Sequence, residues 1–140
     1  MKRLRFIAMF AAIALFVSWR AYAGDVKIIA NNSVSASSIS AGDVKDVFLL
    51  DKDSLGGSHV DPVLSKGGPA HEAFLKDYLS KNDAALQAFY RSLVFTGKAS
   101  MPKSFATDAE VVAYVAKTKG AIAYVGAGAT TDGVKVLVVR

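Results

Sequence analysis

The sequence predicts an α/β domain, a central β-sheet flanked by about four helices, and three observations carry that prediction. Short β-branched apolar runs, VKIIA at 26–30, AIAYVG at 121–126 and VKVLVV at 134–139, have the length and composition of buried strands. Between them lie stretches with helical periodicity, the widest being Leu86, Phe89, Tyr90, Leu93 and Val94 at i, i+3, i+4, i+7 and i+8. Helix starts are marked chemically, most fully by the capping box Thr107-Asp108-Ala109-Glu110. The resulting order is β-α-β-α-α-α-β-β, with no internal repeat.

The first 23 residues read as a targeting segment rather than as part of that domain. Lys2, Arg3 and Arg5 form a basic n-region, Phe6 to Val17 is an apolar run of 12 residues, and Ala21-Tyr22-Ala23 matches the small-x-small cleavage pattern. The run is short of the roughly 20 apolar residues that span a bilayer. The expectation is a signal peptide at 1–23 and one domain at 24–140, exported to the periplasm, with no stable membrane span after cleavage.

Export also explains the charge. The chain has 17 Lys plus Arg against 12 Asp plus Glu, but four of the basic residues and none of the acidic ones lie in the leader, so residues 24–140 carry 13 against 12, a net +1. That balance supplies no electrostatic argument for a nucleic acid partner. With no cysteine, the chain has neither disulfide nor thiolate chemistry, and its stability must come from packing.

Taken in order, the VKIIA strand is followed by NNSVSASSIS, read as a loop at the carboxyl end of that strand, the edge where open α/β sheets bind ligands. Asn31, Ser33 and Ser35 are candidate donors there, although such residues also form turns by bonding their own backbone. Ser40 is placed to cap a helix over about Ala41 to Leu50, and 51–58 reads as a polar turn region. Asp51 and Asp53 begin like a calcium loop, but the remaining ligands and the terminal glutamate are missing. Asn82 or Asp83 caps the helix with the apolar stripe, which belongs in a core. Lys98 and Lys103 are candidate cations in the following loop. Lys117 and Lys119 suit the last turn of the capping-box helix, and Gly120 stops it.

The stretch VDPVLSKGGPAHEAFLKDYL, residues 60–79, is the strongest candidate binding site. A short strand runs into Lys66-Gly67-Gly68-Pro69 and then into a helix. Proline suits the first helical position, the glycines let backbone approach a ligand, and the first-turn N–H groups lie at the positive end of the helix dipole. Lys66 adds a full charge. His71 falls in the first turn and is either a ligand contact or a surface histidine. The competing reading is a strand-to-helix turn that binds only water.

Other chemistry lacks support. His59 and His71 lack the spacing of a helical metal pair, no G-x-S-x-G elbow is present, and Gly126-Ala127-Gly128 lacks the third glycine and following helix of a dinucleotide site. No enzyme activity and no cofactor are expected.

The runs IIANNSVSASSIS, GDVKDVFLLDK, VDPVLSKGGPAHEAF, LVFTGK and DAEVVAYVAKTKGAIAYVG resemble the phosphate-binding periplasmic proteins of ABC importers. Phe95-Thr96-Gly97-Lys98 and Gly120 to Val125 carry the resemblance most strongly. It implies a single three-layer lobe of a type II periplasmic binding protein, as in small exported members of that superfamily. It also implies phosphate or a similar small anion as ligand and a role in periplasmic solute uptake; with the candidates read from the residues themselves, the expected ligand-binding set is Lys66, Gly67, Gly68, His71 and Ser33. Lys66 and Gly67-Gly68 stand where the family has an arginine and a Gly-Ser pair, so a hydroxyl and the bidentate guanidinium fork are absent. Two-lobed members close around the ligand by hinge motion, whereas one lobe leaves a face open. Either such a lobe binds weakly, or that face is covered by an envelope transporter or a second copy, or binding has been lost and the fold serves another purpose. The alternative function is an envelope interaction module that binds no ligand.

Overall fold

The computed structural model describes residues 26–140. The predicted leader, together with Gly24 and Asp25, lies outside the described residues. The strands are β1 Val26–Ala30, β2 Ser38–Ile39, β3 Ser54–Leu55, β4 Ser58–His59, β5 Asp61–Ser65, β6 Lys103–Phe105, β7 Ala121–Gly126 and β8 Lys135–Val139. The helices are α1 Ala41–Phe48, α2 Pro69–Phe74, α3 Asp83–Phe95 and α4 Asp108–Lys117, with α2 continued by a π-helical turn, Leu75–Leu79. No helix among the described residues is long and apolar enough to cross a membrane.

Local chemistry sets the helix boundaries. Ser40 Oγ accepts from the Asp43 amide at 3.0 Å, Asn82 Oδ1 from Ala85 at 2.8 Å and Thr107 Oγ1 from Glu110 at 3.2 Å, each satisfying a first-turn donor that has no intrahelical partner. Between the predicted elements the chain adds short pairings. The turn region at 51–58 contains the β3–β4 hairpin, closed by Gly56 and Gly57 at φ of 56° and 84°, angles that favour glycine and suit a tight hairpin turn.

Six strands form one sheet in the order β2-β8-β1-β7-β5-β6. It is mixed: β1 runs antiparallel to β7 and β8, while β5 is parallel to both β7 and β6. Helices cover both faces. On one face Val47 and Phe48 of α1, Phe74 and Leu79 of the α2 segment, and Leu86 and Tyr90 of α3 pack on Ile28, Ile122 and Tyr124. On the other, Val111, Val112 and Val115 of α4 cover Ile29, Val63, Ala123 and Val125. The alternation of β7, Ile122 and Tyr124 to one side and Ala123 and Val125 to the other, is the period-2 pattern of a strand buried on both faces.

Two expectations are corrected. The stripe on α3 is buried only at Leu86 and Tyr90, while Val94 is 45% exposed and Phe95 93%. The helix outruns the surface it packs on, so periodicity at its carboxyl end does not translate into burial. The loop after β1 does not share an edge with the Lys66 turn. Ala30 lies opposite Ile122 and Asp61 beside Ala121, so the carboxyl end of β1 meets the amino ends of β5 and β7.

Candidate functional site

The carboxyl ends of β5, β6 and β7 gather three turns at one edge of the sheet. Lys66 N donates to Phe105 O at 2.9 Å, tying the β5 turn to β6. Gly68, at φ 97°, precedes Pro69 as the backbone enters α2, a positive φ that glycine adopts without strain. The β6 turn leads into α4 through Thr107 and Asp108. Asp108 Oδ2 accepts from Gly126 N at 3.1 Å, which docks the start of α4 on the end of β7. A Cβ at Gly126 would lie 3.2 Å from that carboxylate oxygen and 3.9 Å from Ala70 Cβ, so β7 ends between the starts of the two helices.

The result is an open concavity of about 580 Å³ lined by Gly67, Gly68, Pro69, Ala70, Ala73, Ala106, Asp108 and Gly126. A second depression of about 430 Å³ shares Asp108 and Gly126 and continues along Gly128 to Thr130. Backbone groups of the glycine turn and the first turns of α2 and α4 therefore border one space, with a carboxylate on its far wall. Amides at helix starts attract an anion, and Lys66 stands exposed beside them.

Of the sequence candidates, Gly67 and Gly68 line the concavity with Lys66 exposed immediately before them, and the others lie elsewhere. Ser33 accepts from Gly120 N at 3.1 Å at the opposite edge of the sheet, because β1 runs against β5. Asn31 is buried, and its Nδ2 donates to the carbonyls of Val115 and Ala116 at 2.8 and 3.2 Å, closing the end of α4. Ser35 pairs with Ser58 at 2.8 Å, and Lys103 rests over the Tyr114 ring at 5.5 Å.

His71 is not a surface histidine. It is 2% exposed, its Nδ1 meets the Tyr124 hydroxyl, and its Nε2 lies 2.8 Å from Asp83 Oδ1. Tyr124 in turn accepts from Ser65 N at 3.1 Å. Protonation roles follow from what each group can do. The Ser65 amide can only donate and the Asp83 carboxylate can only accept. A neutral imidazole thus carries its proton on Nε2 and receives the Tyr124 O–H on Nδ1. Ser65 Oγ is buried and, among the described residues, has no partner.

Burial raises the Tyr124 phenol well above its ordinary value near 10, only partly offset by the bond from Ser65, and burial likewise raises Tyr90. Folded values above unfolded ones stabilise the protein fully below the unfolded value. That contribution is lost as pH rises from about 10 through the folded values. Urea midpoints are expected to be flat to about pH 9.5 and then to fall. Each of these tyrosines removes about 1.4 kcal/mol per pH unit in that window, and Tyr124→Phe should lessen the slope. An unchanged midpoint at pH 11 would contradict the assignment.

Asp108, Tyr124, Asp83 and Ser65 escape the sequence reading. Asp108 reads as part of a cap, and Tyr124 as one apolar position in a strand. Among the described residues no group of three or more His, Asp or Glu is placed to hold a metal.

With this geometry in view, the solved structures that resemble the chain become informative. An ABC-type phosphate transport receptor from Vibrio cholerae superposes with a TM-score of 0.55 at 12% identity, over 82% of this chain and 46% of that one. The fold is one lobe of a periplasmic binding protein. A provisionally assigned phosphate ABC transporter substrate-binding protein with bound phosphate, from Clostridium perfringens, gives a TM-score of 0.56 at 15% identity over 82% and 44%. PstS from Borrelia burgdorferi gives 0.55 at 13% over 83% and 47%. The chain thus spans less than half the length of these proteins. The lobe is matched by no family model and by no curated protein.

Proposed function

We propose that this lobe is an exported solute-binding-like protein that holds phosphate or a similar oxyanion at the Lys66–Ala70 turn, in an accessory role in periplasmic phosphate uptake. The observation that carries the reading is the concavity at the carboxyl ends of β5 and β7, where the glycine turn and the starts of α2 and α4 converge. Lys66, Gly67 and Gly68 make the direct contacts, and His71 supports the turn from inside. Ser33 has no part in the site, lying at the other edge. Asp108 on the wall accepts a hydrogen bond from a protonated oxyanion. The fold it shares with proteins described as phosphate receptors supports the same ligand class, and an ABC transporter is the partner. The function is binding, not catalysis. The leader supports a periplasmic location.

The test is thermal. Inorganic phosphate at millimolar concentration is expected to raise the Tm, since a ligand present at 100 times its Kd stabilises by about 2.7 kcal/mol. Lys66→Ala should weaken binding about tenfold or more, the loss of one charge-assisted contact. Clean two-state melting with no phosphate response sinks the proposal.

The exposed end of α3 favours a second reading, an envelope interaction module. Phe95 is 93% exposed, and Val94 and Met101 45% each, large apolar side chains that a docked partner would cover. On that reading phosphate leaves the melt unchanged, and Phe95→Ser abolishes docking on an envelope partner or a second copy without altering stability.

A further inference from the structure

We propose that two copies of this chain dock through their α3 ends, each placing Phe95 in an apolar hole beside β5 and β6 of the other. The proposal gives the exposed α3 end one occupant and does not depend on the oxyanion reading of the Lys66 turn.

The knob is held rigidly. Phe95 is the last residue of α3 and is 93% exposed, with Val94 beside it at 45%. The helix ends in a bonded turn: Gly97, at φ 72°, donates its N–H to Val94 O at 3.0 Å, and Lys98 N donates to Leu93 O at 2.9 Å. The Thr96 hydroxyl donates to Ser92 O at 2.9 Å. A ring carried on a capped helix end has little backbone freedom left to lose on docking.

The hole lies at the amino ends of β5 and β6, the sheet edge opposite the Lys66 turn. It is a cavity of about 220 Å³ walled by Leu50, Pro62, Val63, Met101, Pro102 and Tyr114. An apolar cavity of about 150 Å³ accepts a benzene ring, so this one has room for the Phe95 side chain. The Tyr114 ring in its wall is a partner for an entering aromatic. Met101 lines the hole while 45% exposed, and it follows Phe95 by six residues, a length of chain that spans at most about 22 Å. Knob and hole are therefore neighbours on the surface. A patch that carries both closes on its own copy by a two-fold axis, with each knob in the other hole.

Charge favours knob on hole over knob on knob. Arg91 stands one helical turn before Phe95 and Lys98 three residues after it, both exposed. On the hole side Asp61 lines the cavity and exposed Asp51 follows Leu50. Arg91, Lys98 and Asp51 make no ion pair among the described residues, and the partner of Asp61 is exposed His59. Two α3 ends set against each other bring cations together, whereas an α3 end set on the hole brings cations to carboxylates. Lys103 is the one cation lining the hole, and its ammonium lies over the Tyr114 ring at 5.5 Å.

The test is self-association of the purified protein. Sedimentation velocity is expected to move from monomer toward dimer between about 1 µM and 1 mM, the range of a small interface, and added salt should weaken the dimer. Phe95→Ser removes the knob, and Ser100→Arg blocks the hole from an exposed position in its lining. Each should weaken association at least about 100-fold, since two-fold symmetry removes both contacts at once. A mixture of the two variants restores one knob-in-hole contact. With 15N-labelled Phe95→Ser and unlabelled Ser100→Arg, amide shifts are expected around Leu50, Met101 and Tyr114 of the labelled chain, and labelled Phe95→Ser alone at the same concentration should show none. Dilution of labelled wild type should move the same amides, a readout that needs no variant. Wild type that stays monomeric at about 1 mM, growth past the dimer, or a mixture without those shifts overturns the proposal. The response of Tm to phosphate reads the Lys66 turn separately, so either proposal can fail alone.

Discussion

Replacing Phe74 with alanine is expected to lower the unfolding free energy by about 3–5 kcal/mol, a large part of the 5–15 kcal/mol typical of a domain. Phe74 is fully buried, stacks on Tyr124 with centroids 3.9 Å apart and planes at 8°, and meets the edge of Phe48 at 4.7 Å. Deletion removes both contacts and opens a cavity between α2 and the sheet. The loss should reach the site as well, because Phe74 holds the face of the ring whose hydroxyl pins Ser65 and His71. The urea midpoint should fall sharply, with a reduced thermal response to phosphate in whatever remains folded. Phe95→Ala is the contrasting measurement: at 93% exposure it should change stability by no more than about 0.5 kcal/mol. Similar losses for the two would overturn this assignment of the core.

Gly120→Ala is expected to destabilise by about 2–4 kcal/mol, combining a strained backbone angle with a steric clash. Gly120 has φ 78°, and a Cβ there would lie 2.7 Å from the carbonyl oxygen of His59, a backbone atom that cannot swing away. The same residue donates its N–H to Ser33 and accepts from Asp61 N at 2.8 Å, so it joins the end of α4, the loop after β1 and the start of β5. Scanning calorimetry should show a Tm lower by roughly 10–15 °C for a domain of this size. Gly128→Ala, with nothing within 4 Å of its Cβ position, should be close to neutral. If the Gly120 variant melts with wild type, the close approach at His59 is not a constraint.

Both residues show how far local reading goes. Gly120 is legible as a helix stop, because the left-handed turn after α4 is a local requirement. That it also faces a carbonyl 61 positions earlier in the chain is not. Phe74 is legible as apolar at helical spacing, but its stacking partner on β7 is not. The same limit applies at the candidate site. Lys66-Gly67-Gly68-Pro69 announces a glycine turn entering a helix, and Gly67, Gly68 and Pro69 border a concavity. Asp108, on the opposite wall, looks like any first-turn carboxylate until β7 ends beside it.

The sequence by itself determined the class and the longer elements, among them the VKIIA and AIAYVG strands, the caps at Ser40, Asn82 and Thr107, and the Gly120 stop, but not the short strands β2, β3, β4 and β6. These depend on periodicity and on backbone donors satisfied within three residues, so nearest neighbours suffice to specify them. Only the tertiary structure decided that β1 runs against β5, which sends Ser33 to the far edge and leaves the Lys66 turn with Asp108 and Gly126. Only it decided that His71 is buried between Tyr124 and Asp83. Strand direction and the partners of a buried side chain depend on pairings between distant parts of the chain, whose energy comes from the shared core and not from the local residues that take part.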